Sequence, residues 1–300
     1  MPSFYLVSGA GNDFIALPEP ERPPTSEEIR AWCRRGISVG SDGLFVLRRA
    51  AGAKAGPAVT MDYFNGDGRA ADLCINGTRC AARLAFELGW ADGEVEIDTG
   101  AGPVRARRLA ESVIGLELPR PEAARELAPE VDGRPWPGLF LRVGVPHFVL
   151  PWPAPLGEAP VATLGPTLRH HPAMGPAGTN VDFVRYPAPD RLEVRSFERG
   201  VEAETLACGT GVLAAAAAGL ARGMLRLPAT ALTTGGFEMT VAAVGGDGSD
   251  GADGATDRPP ADGSRPRHWT LAGDARLVAR GELLPEASRA PQPPRWSPAR

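Results

Sequence analysis

The sequence predicts an α+β protein of two similar halves, each folding sheet around a central helix. Three observations carry this expectation. Asp13-Phe14-Ile15 and His147-Phe148-Val149 stand 134 positions apart, and Cys74 and Cys208 are separated by the same 134. Two anchors at one offset indicate an internal duplication. Upstream of the cysteines, FNGDGRAADLC matches FERGVEAETLAC with one extra residue in the second copy. Downstream, each cysteine has a glycine three positions on (Gly77, Gly211), then an apolar run of helical period that ends near glycine (Gly89, Gly223). From Val212 to Leu220 that run holds no polar side chain. A helix apolar on every side needs enclosure on every side, and a sheet wrapped around it supplies that.

In chain order, PPTSEEIRAWCRRG reads as the first helix, with Thr25 and Glu28 as a capping box and Gly36 as the C-terminal cap. Cys33, inside it beside Trp32, reads as core. GLFVLRRA, AVTMDYF and EVEIDTG read as short strands bounded by glycine. Between 118 and 138, LPRPEAARELAPEVDGRPWPG is rich in proline and acid and reads as the connection between the halves. The expected boundaries are therefore 1–117 for an N-terminal domain, with a strand near 276–285 a candidate to complete it, and 138–275 for a C-terminal domain. Residues 245–267 are low in complexity and nearly free of apolar side chains, so a disordered insertion is expected there. Residues 286–300 are expected to form a loose tail.

Three hundred residues suit two domains, and 43% hydrophobic with 23% charged residues is ordinary for a globular chain. A net charge of −4 gives no general reason to expect nucleic acid or an anionic membrane as partner. No apolar run reaches the roughly 18 residues of a membrane helix. The N-terminus lacks the basic region of a signal peptide, and four cysteines do not make a disulfide scaffold. A cytoplasmic location is the default. The chain has one lysine, Lys54, in what reads as an exposed loop, which argues against a pyridoxal-phosphate Schiff base. The four histidines, 147, 170, 171 and 268, are not in ligand spacing and no CxxC occurs, so no metal is expected. His170 and His171 read as surface residues. GISVGSDG reads as a turn rather than a nucleotide site.

The two cysteines carry the chemistry. A helix start presents free N–H groups and the positive end of the dipole, which lowers the pKa of a thiol placed there. The neighbouring glycines let backbone approach a ligand, so the same N–H groups can bind a carboxylate. A pseudo-symmetric pair of halves would bring two such thiols face to face across a cleft. Opposed acid and base groups are what inversion at a carbon requires: one thiolate removes the α-proton of an amino acid and the opposite thiol returns a proton to the other face. General acid–base catalysis contributes about 10²–10⁴-fold. Stabilisation of the developing charge by aligned N–H donors, at about 3–4 kcal/mol per donor, supplies the remainder. Cys80, six residues past Cys74, points elsewhere and reads as structural.

With these residues in view, the chain resembles the diaminopimelate epimerase family. The matching pieces are GAGNDF, GSDGL, FNGDGRAADLCINGTRCAAR, GVPHFV, GTNVDFV and FERGVEAETLACGTGV, in the family's order from residue 8 to about 223, with weaker matches in TGGFEMTV and LAGDARLVARGEL. The resemblance implies two pseudo-symmetric domains, each an antiparallel-rich sheet or barrel around a central helix. It also implies a cofactor-independent epimerase interconverting LL- and meso-diaminopimelate, for lysine and peptidoglycan synthesis, and a homodimer. Carried over, Cys74 and Cys208 match the catalytic thiols and His147 a histidine beside them. Asn12, Asn65 and Asn180 match side chains holding the substrate. Glu198 and Arg199 match a pair contacting its ammonium and carboxylate groups. Ile75, Asn76, Gly209 and Thr210 match donors at the two helix starts. Two departures stand out: Val145 where the family often has asparagine before Pro-His, and Ile75 where it often has glycine. Both put the substrate in question more than the reaction.

Other readings keep part of this. A racemase of the same superfamily acting on proline or histidine retains the chemistry; Arg199 with several amides favours a substrate with a second zwitterionic end. A dithiol redox protein would cycle a Cys74–Cys208 disulfide, although such proteins usually use CxxC. A catalytically dead binding protein would not need intact cysteines.

Overall fold

The computed structural model describes residues 2–50, 58–244 and 268–289. Its first half runs β1 (Ser3–Gly9), β2 (Asn12–Pro18), α1 (Ser26–Trp32), β3 (Gly43–Arg49), β4 (Ala58–Asn65), β5 (Ala70–Ala71), α2 (Ile75–Glu87), β6 (Glu94–Thr99), β7 (Gly102–Ala110) and β8 (Val113–Pro119). Three short strands follow: β9 (Arg125–Leu127), β10 (Glu130–Val131) and β11 (Arg134–Pro135). The second half runs β12 (Gly138–Val143), β13 (Val145–Pro151), α3 (Val161–Arg169), β14 (Asn180–Ala188), β15 (Arg191–Glu198), β16 (Ala203–Thr205), α4 (Gly209–Ala221), β17 (Ala229–Thr233), β18 (Glu238–Val244) and β19 (His268–Asp274). β20 (Arg276–Glu282) ends the sheet.

The pairing repeats strand for strand. β1–β2 and β12–β13 are antiparallel, β2–β3 and β13–β14 parallel, β3–β4 and β14–β15 antiparallel. β4–β6 and β15–β17 are parallel, and each half finishes with two antiparallel pairings. The halves join edge to edge where β8 pairs with β19. β1 takes its second partner from β20, and β12 takes its own from β9.

The enclosed helices are α2 and α4. Val212, Leu213, Ala214, Ala215 and Ala216 are all 0% exposed, as are Cys80, Ala81, Ala82, Leu84 and Ala85 of α2. Both helices are followed by glycine in the left-handed region, Gly89 at φ 68° and Gly223 at φ 66°, where a side chain would be strained. The core runs through both halves and includes residues of both helices.

Outside that core, α1 has the capping box read from its sequence: Thr25 accepts from the Glu28 N–H, and Glu28 accepts from the Thr25 N–H. It ends at Trp32 rather than near Gly36, with Cys33 as its C-cap. Cys33 packs in a smaller cluster with Ile29, Trp32 and Leu44. The segment 118–138 is more than a connection. β9 pairs with β12, and β10 and β11 form a hairpin around Asp132 and Gly133 at φ 52° and 72°, the Asp-Gly turn that hairpins favour. Residues 286–288, assigned above to a loose tail, belong to a 3-10 turn. Ser288 there accepts a hydrogen bond from the Trp32 indole N–H at 2.9 Å, a donor that burial would otherwise leave unpaired. Lys54, residues 245–267 and residues 290–300 lie outside the described residues. No helix among the described residues is long and apolar enough to cross a membrane.

Candidate active site

Cys74 and Cys208 occupy the same structural position. Each is the N-cap of its enclosed helix, in extended backbone (φ −129°, ψ 107° and φ −110°, ψ 108°). Each sulfur accepts the N–H three residues on: Gly77 to Cys74 at 3.5 Å, Gly211 to Cys208 at 3.4 Å. The first-turn N–H groups of Ile75, Asn76, Gly209 and Thr210 have no acceptor within their own helices. Neither cysteine is in a disulfide, and Cys208 is the more buried.

The two helix starts abut. A Cβ at Gly209 would lie 2.8 Å from Ile75 Cγ2, so Ile75 fills the space that Gly209 leaves open. The Ile75 side chain is buried in this junction rather than standing free over the thiols. Asn76 donates from Nδ2 to the Ala207 carbonyl at 3.1 Å and accepts from Arg79 at 2.7 Å. Both ends of its amide are thus held inside the protein.

The side chains that hydrogen-bond to the Cys74 thiol are uncharged. Asn12 begins β2 after a turn in which Ala10 and Gly11 both have positive φ. A Cβ at Gly11 would lie within 3 Å of Leu206 and Phe237, so this turn of the first half seats against the second. Asn12 donates from Nδ2 to Asp42 at 2.7 Å, and its Oδ1 lies 3.8 Å from the Cys74 sulfur. Arg35 grips Asp42 and Asp13 together and thereby fixes Asn12. Tyr63 donates to Asn65 Oδ1 at 3.1 Å, turning the Asn65 NH₂ outward, and its hydroxyl also meets the Cys74 thiol.

The surroundings of Cys208 are acidic. Glu198 accepts from Thr205 at 2.5 Å and also meets the Cys208 thiol, while Thr210 Oγ1 lies 3.4 Å from that sulfur. Behind them is a buried chain. Ser196 donates to Asp182 Oδ1 at 2.6 Å, and Asp182 Oδ2 lies 2.7 Å from His147 Nδ1. Asn180 accepts the Arg199 N–H at 2.7 Å, so its NH₂ faces His147 Nε2 at 3.3 Å. With Nε2 accepting, the His147 proton sits on Nδ1 and is donated to Asp182. Gly211 is required here, because a Cβ would lie 2.5 Å from Asp182 Oδ1. The Arg199 guanidinium has no carboxylate within ion-pair distance among the described residues.

The expectation that a helix start lowers both thiols is corrected. The Gly77 and Gly211 N–H groups do pull each pKa down, but burial outweighs them and both thiols lie above the ordinary range. The Glu198 charge adds to the rise at both, and Asp182 adds to it at Cys208. Glu198 is itself raised, by burial first.

Sequence reasoning missed Arg35, Asp42, Tyr63, Asp182 and Ser196. The duplication held a signal for one of them, Asp42: Asp13 aligns with His147, and in the registers Phe14–Gly43 and His147–Asn180 their partners are Asp42 and Asn180. Equivalent places carry an Arg-clamped acid pair in one half and a His–Asn pair in the other.

The fold is shared with solved structures of a probable proline racemase and of a phenazine biosynthesis protein. It matches a probable proline racemase from Agrobacterium radiobacter with TM-score 0.66 and 17% identity, covering 96% of each chain. It also matches a phenazine biosynthesis protein of the PhzF family from Bacillus anthracis with TM-score 0.66 and 13% identity, covering 94% of this chain and 99% of that one. The diaminopimelate epimerase family model matches residues 4–112 and 139–250. The diaminopimelate epimerase of Aquifex aeolicus is 35% identical over 250 residues, 79% of this chain and 88% of that protein. That of Gemmatimonas aurantiaca is 34% identical over 293 residues, 94% and 99% of the two chains. The chain belongs to the diaminopimelate epimerase family.

Proposed function

We propose that this protein interconverts LL- and meso-diaminopimelate by a two-thiol mechanism. The observation that carries the reading is the pair of cysteine N-caps, Cys74 and Cys208, on duplicated helices whose first turns abut at Ile75 and Gly209. One thiolate takes the α-proton. The electron pair left on carbon delocalises into the carboxylate, whose oxygens the first-turn N–H groups of both helices stabilise. The opposing thiol gives its proton to the other face, and reversal exchanges the roles.

Burial keeps both thiols protonated at neutral pH in the free protein, so the reaction needs one of them ionised when substrate is in place. The substrate's own ammonium group, set against Glu198 and the cysteines, favours that ionisation. Asn12, whose NH₂ is held by Asp42, offers its carbonyl to an ammonium group; Asn65, whose carbonyl is held by Tyr63, offers its NH₂ to a carboxylate. The Arg199 guanidinium, which pairs with no carboxylate among the described residues, suits the distal carboxylate. His147 and Asn180 act behind Glu198 and Arg199, holding the β15 end in place.

One observation favours a second reading. Val145 is half-buried and two residues before His147 on the same strand, an apolar group where the resemblance called for an amide. A shorter amino acid would not need that contact. The test uses reduced protein, LL-diaminopimelate and deuterium oxide without added cofactor, following deuterium entry at the α-carbon and formation of the meso isomer. Both signals in the wild type, with inversion lost in Cys74→Ala or Cys208→Ala, support the first reading. Activity on proline, histidine or glutamate alone would replace it with the second. Silence throughout would sink both and favour a redox pair.

A further inference from the structure

Arg79 is 0% exposed, the largest fully buried side chain of the described residues. Its Nη2 donates to Asn76 Oδ1 at 2.7 Å and its Nε to the Asp274 carbonyl at 3.4 Å, while Nη1 has no partner among the described residues. A guanidinium in such a place is costly, and an apolar side chain of similar volume is often as stable or more so. The duplication supplies the comparison within the same molecule. The position 134 residues on is Leu213, also 0% exposed. The fold therefore accepts leucine where the first half has arginine.

The contacts point to a different use. Arg79 pins the carbonyl end of the Asn76 amide, which turns the NH₂ end onto the Ala207 carbonyl, 131 residues away in sequence. That carbonyl belongs to the peptide joining Ala207 to Cys208. The chain Arg79, Asn76, Ala207 thus runs from the helix capped by one thiol to the peptide that carries the other. Its third anchor, the Asp274 carbonyl, lies between β19 of the second half and β20, which pairs with the first. We infer that Arg79 is a positioning residue that, through Asn76, sets the place of Cys208 relative to Cys74.

The inference rests on the two-thiol reading. A thiol that has taken the α-proton can exchange with solvent and return deuterium to the same face; only delivery from the opposite thiol inverts the carbon. The ratio of inversion to α-deuterium exchange therefore reports how the thiols sit relative to each other, and a loss of folded protein would not move it. In Arg79→Leu, inversion should fall by about 10²-fold, the scale of a misplacement near 1 Å, with exchange largely kept and KM little changed. Arg79→Lys, which keeps a donor toward Asn76, should recover part of the ratio. Asn76→Ala cuts the same link while keeping the guanidinium, and should give the same imbalance. The double variant should be no worse than either single one. If Arg79→Leu does not fold, Asn76→Ala carries the test alone. A wild-type ratio in the folded variants, or effects that multiply in the double variant, overturns the inference and leaves the epimerase reading standing. A wild type that neither exchanges nor inverts removes both.

Discussion

Replacing Gly209 by alanine tests whether the junction of the two helix starts governs catalysis. An added Cβ would lie 2.8 Å from Ile75 Cγ2, 3.1 Å from Ile75 Cβ and 3.3 Å from Leu271 Cδ2. Carbon atoms rest at about 3.5–4.0 Å, so the two helix starts must part by about 1 Å. Ile75 cannot swing aside easily, because it is buried and a β-branched side chain in a helix has one strongly preferred rotamer. Overpacking of this kind costs about 1–3 kcal/mol of stability. A shift of about 1 Å between catalytic groups costs about 10²-fold in rate. The assay is the rate of meso-isomer formation, read beside thermal unfolding. Gly209→Ala should remain folded at 25 °C and lose about 10²-fold in kcat. Adding Ile75→Ala removes the opposing methyl group and should recover at least about tenfold of that loss, by the same distance argument. A wild-type rate in Gly209→Ala, or no recovery in the double variant, would refute the claim that this junction sets the spacing of the thiols. Alanine is a better helix former than glycine, so helix propensity cannot be the source of a loss.

Cys74→Ala and Cys208→Ala, each alone, should abolish inversion while leaving far-ultraviolet circular dichroism and the unfolding temperature close to wild type; a variant that still inverts would show that one thiol suffices. Glu198→Gln removes a charge that raises both thiols, so the rise of kcat/KM with pH should begin at lower pH than in wild type, at a reduced plateau. A profile that stays in place or moves upward would exclude Glu198 as the group acting on the sulfurs. Thr25→Ala removes the α1 cap and should cost about 1 kcal/mol, lowering the unfolding temperature by about 2–4 °C, with inversion unaffected. Glu28 is held down to about 2, first by Arg22, so the stability it contributes is present above about pH 4.5 and is lost as the pH falls toward 2. The difference in unfolding temperature between wild type and Glu28→Gln should close over that interval.

The cysteine pair was legible because its signature is local: glycine at fixed spacing, an apolar run, and the same pattern 134 residues on. The enclosing sheet followed from Val212–Leu220, since a helix without a polar side chain has no face for water. What lay hidden was long-range. Nothing near Asn12 in sequence announces that Asp42 and Arg35 orient its amide, and nothing near Asn76 announces that Ala207 takes its NH₂ group. The net pKa of the thiols was misread for a related reason. The helix start is a local feature and acts as expected, but burial depends on the whole fold and outweighs it. The Asp132-Gly133 hairpin is different: its signal was in the sequence and was obscured by the surrounding prolines.

Pro2 accepts a hydrogen bond from the Leu283 N–H at 3.0 Å, and β1 finds its outer partner only in β20. During translation, then, β1 leaves the ribosome long before the strand it pairs with. At about 5–20 residues per second, the wait is on the order of tens of seconds. Through that time the first half carries an unpaired strand edge, the feature most prone to pairing with the wrong chain. Its Ile75 and Asn76 likewise lack Gly209 and the Ala207 carbonyl until the second half has emerged. The nascent first half is thus a target for chaperones and for domain swapping between neighbouring chains on one message.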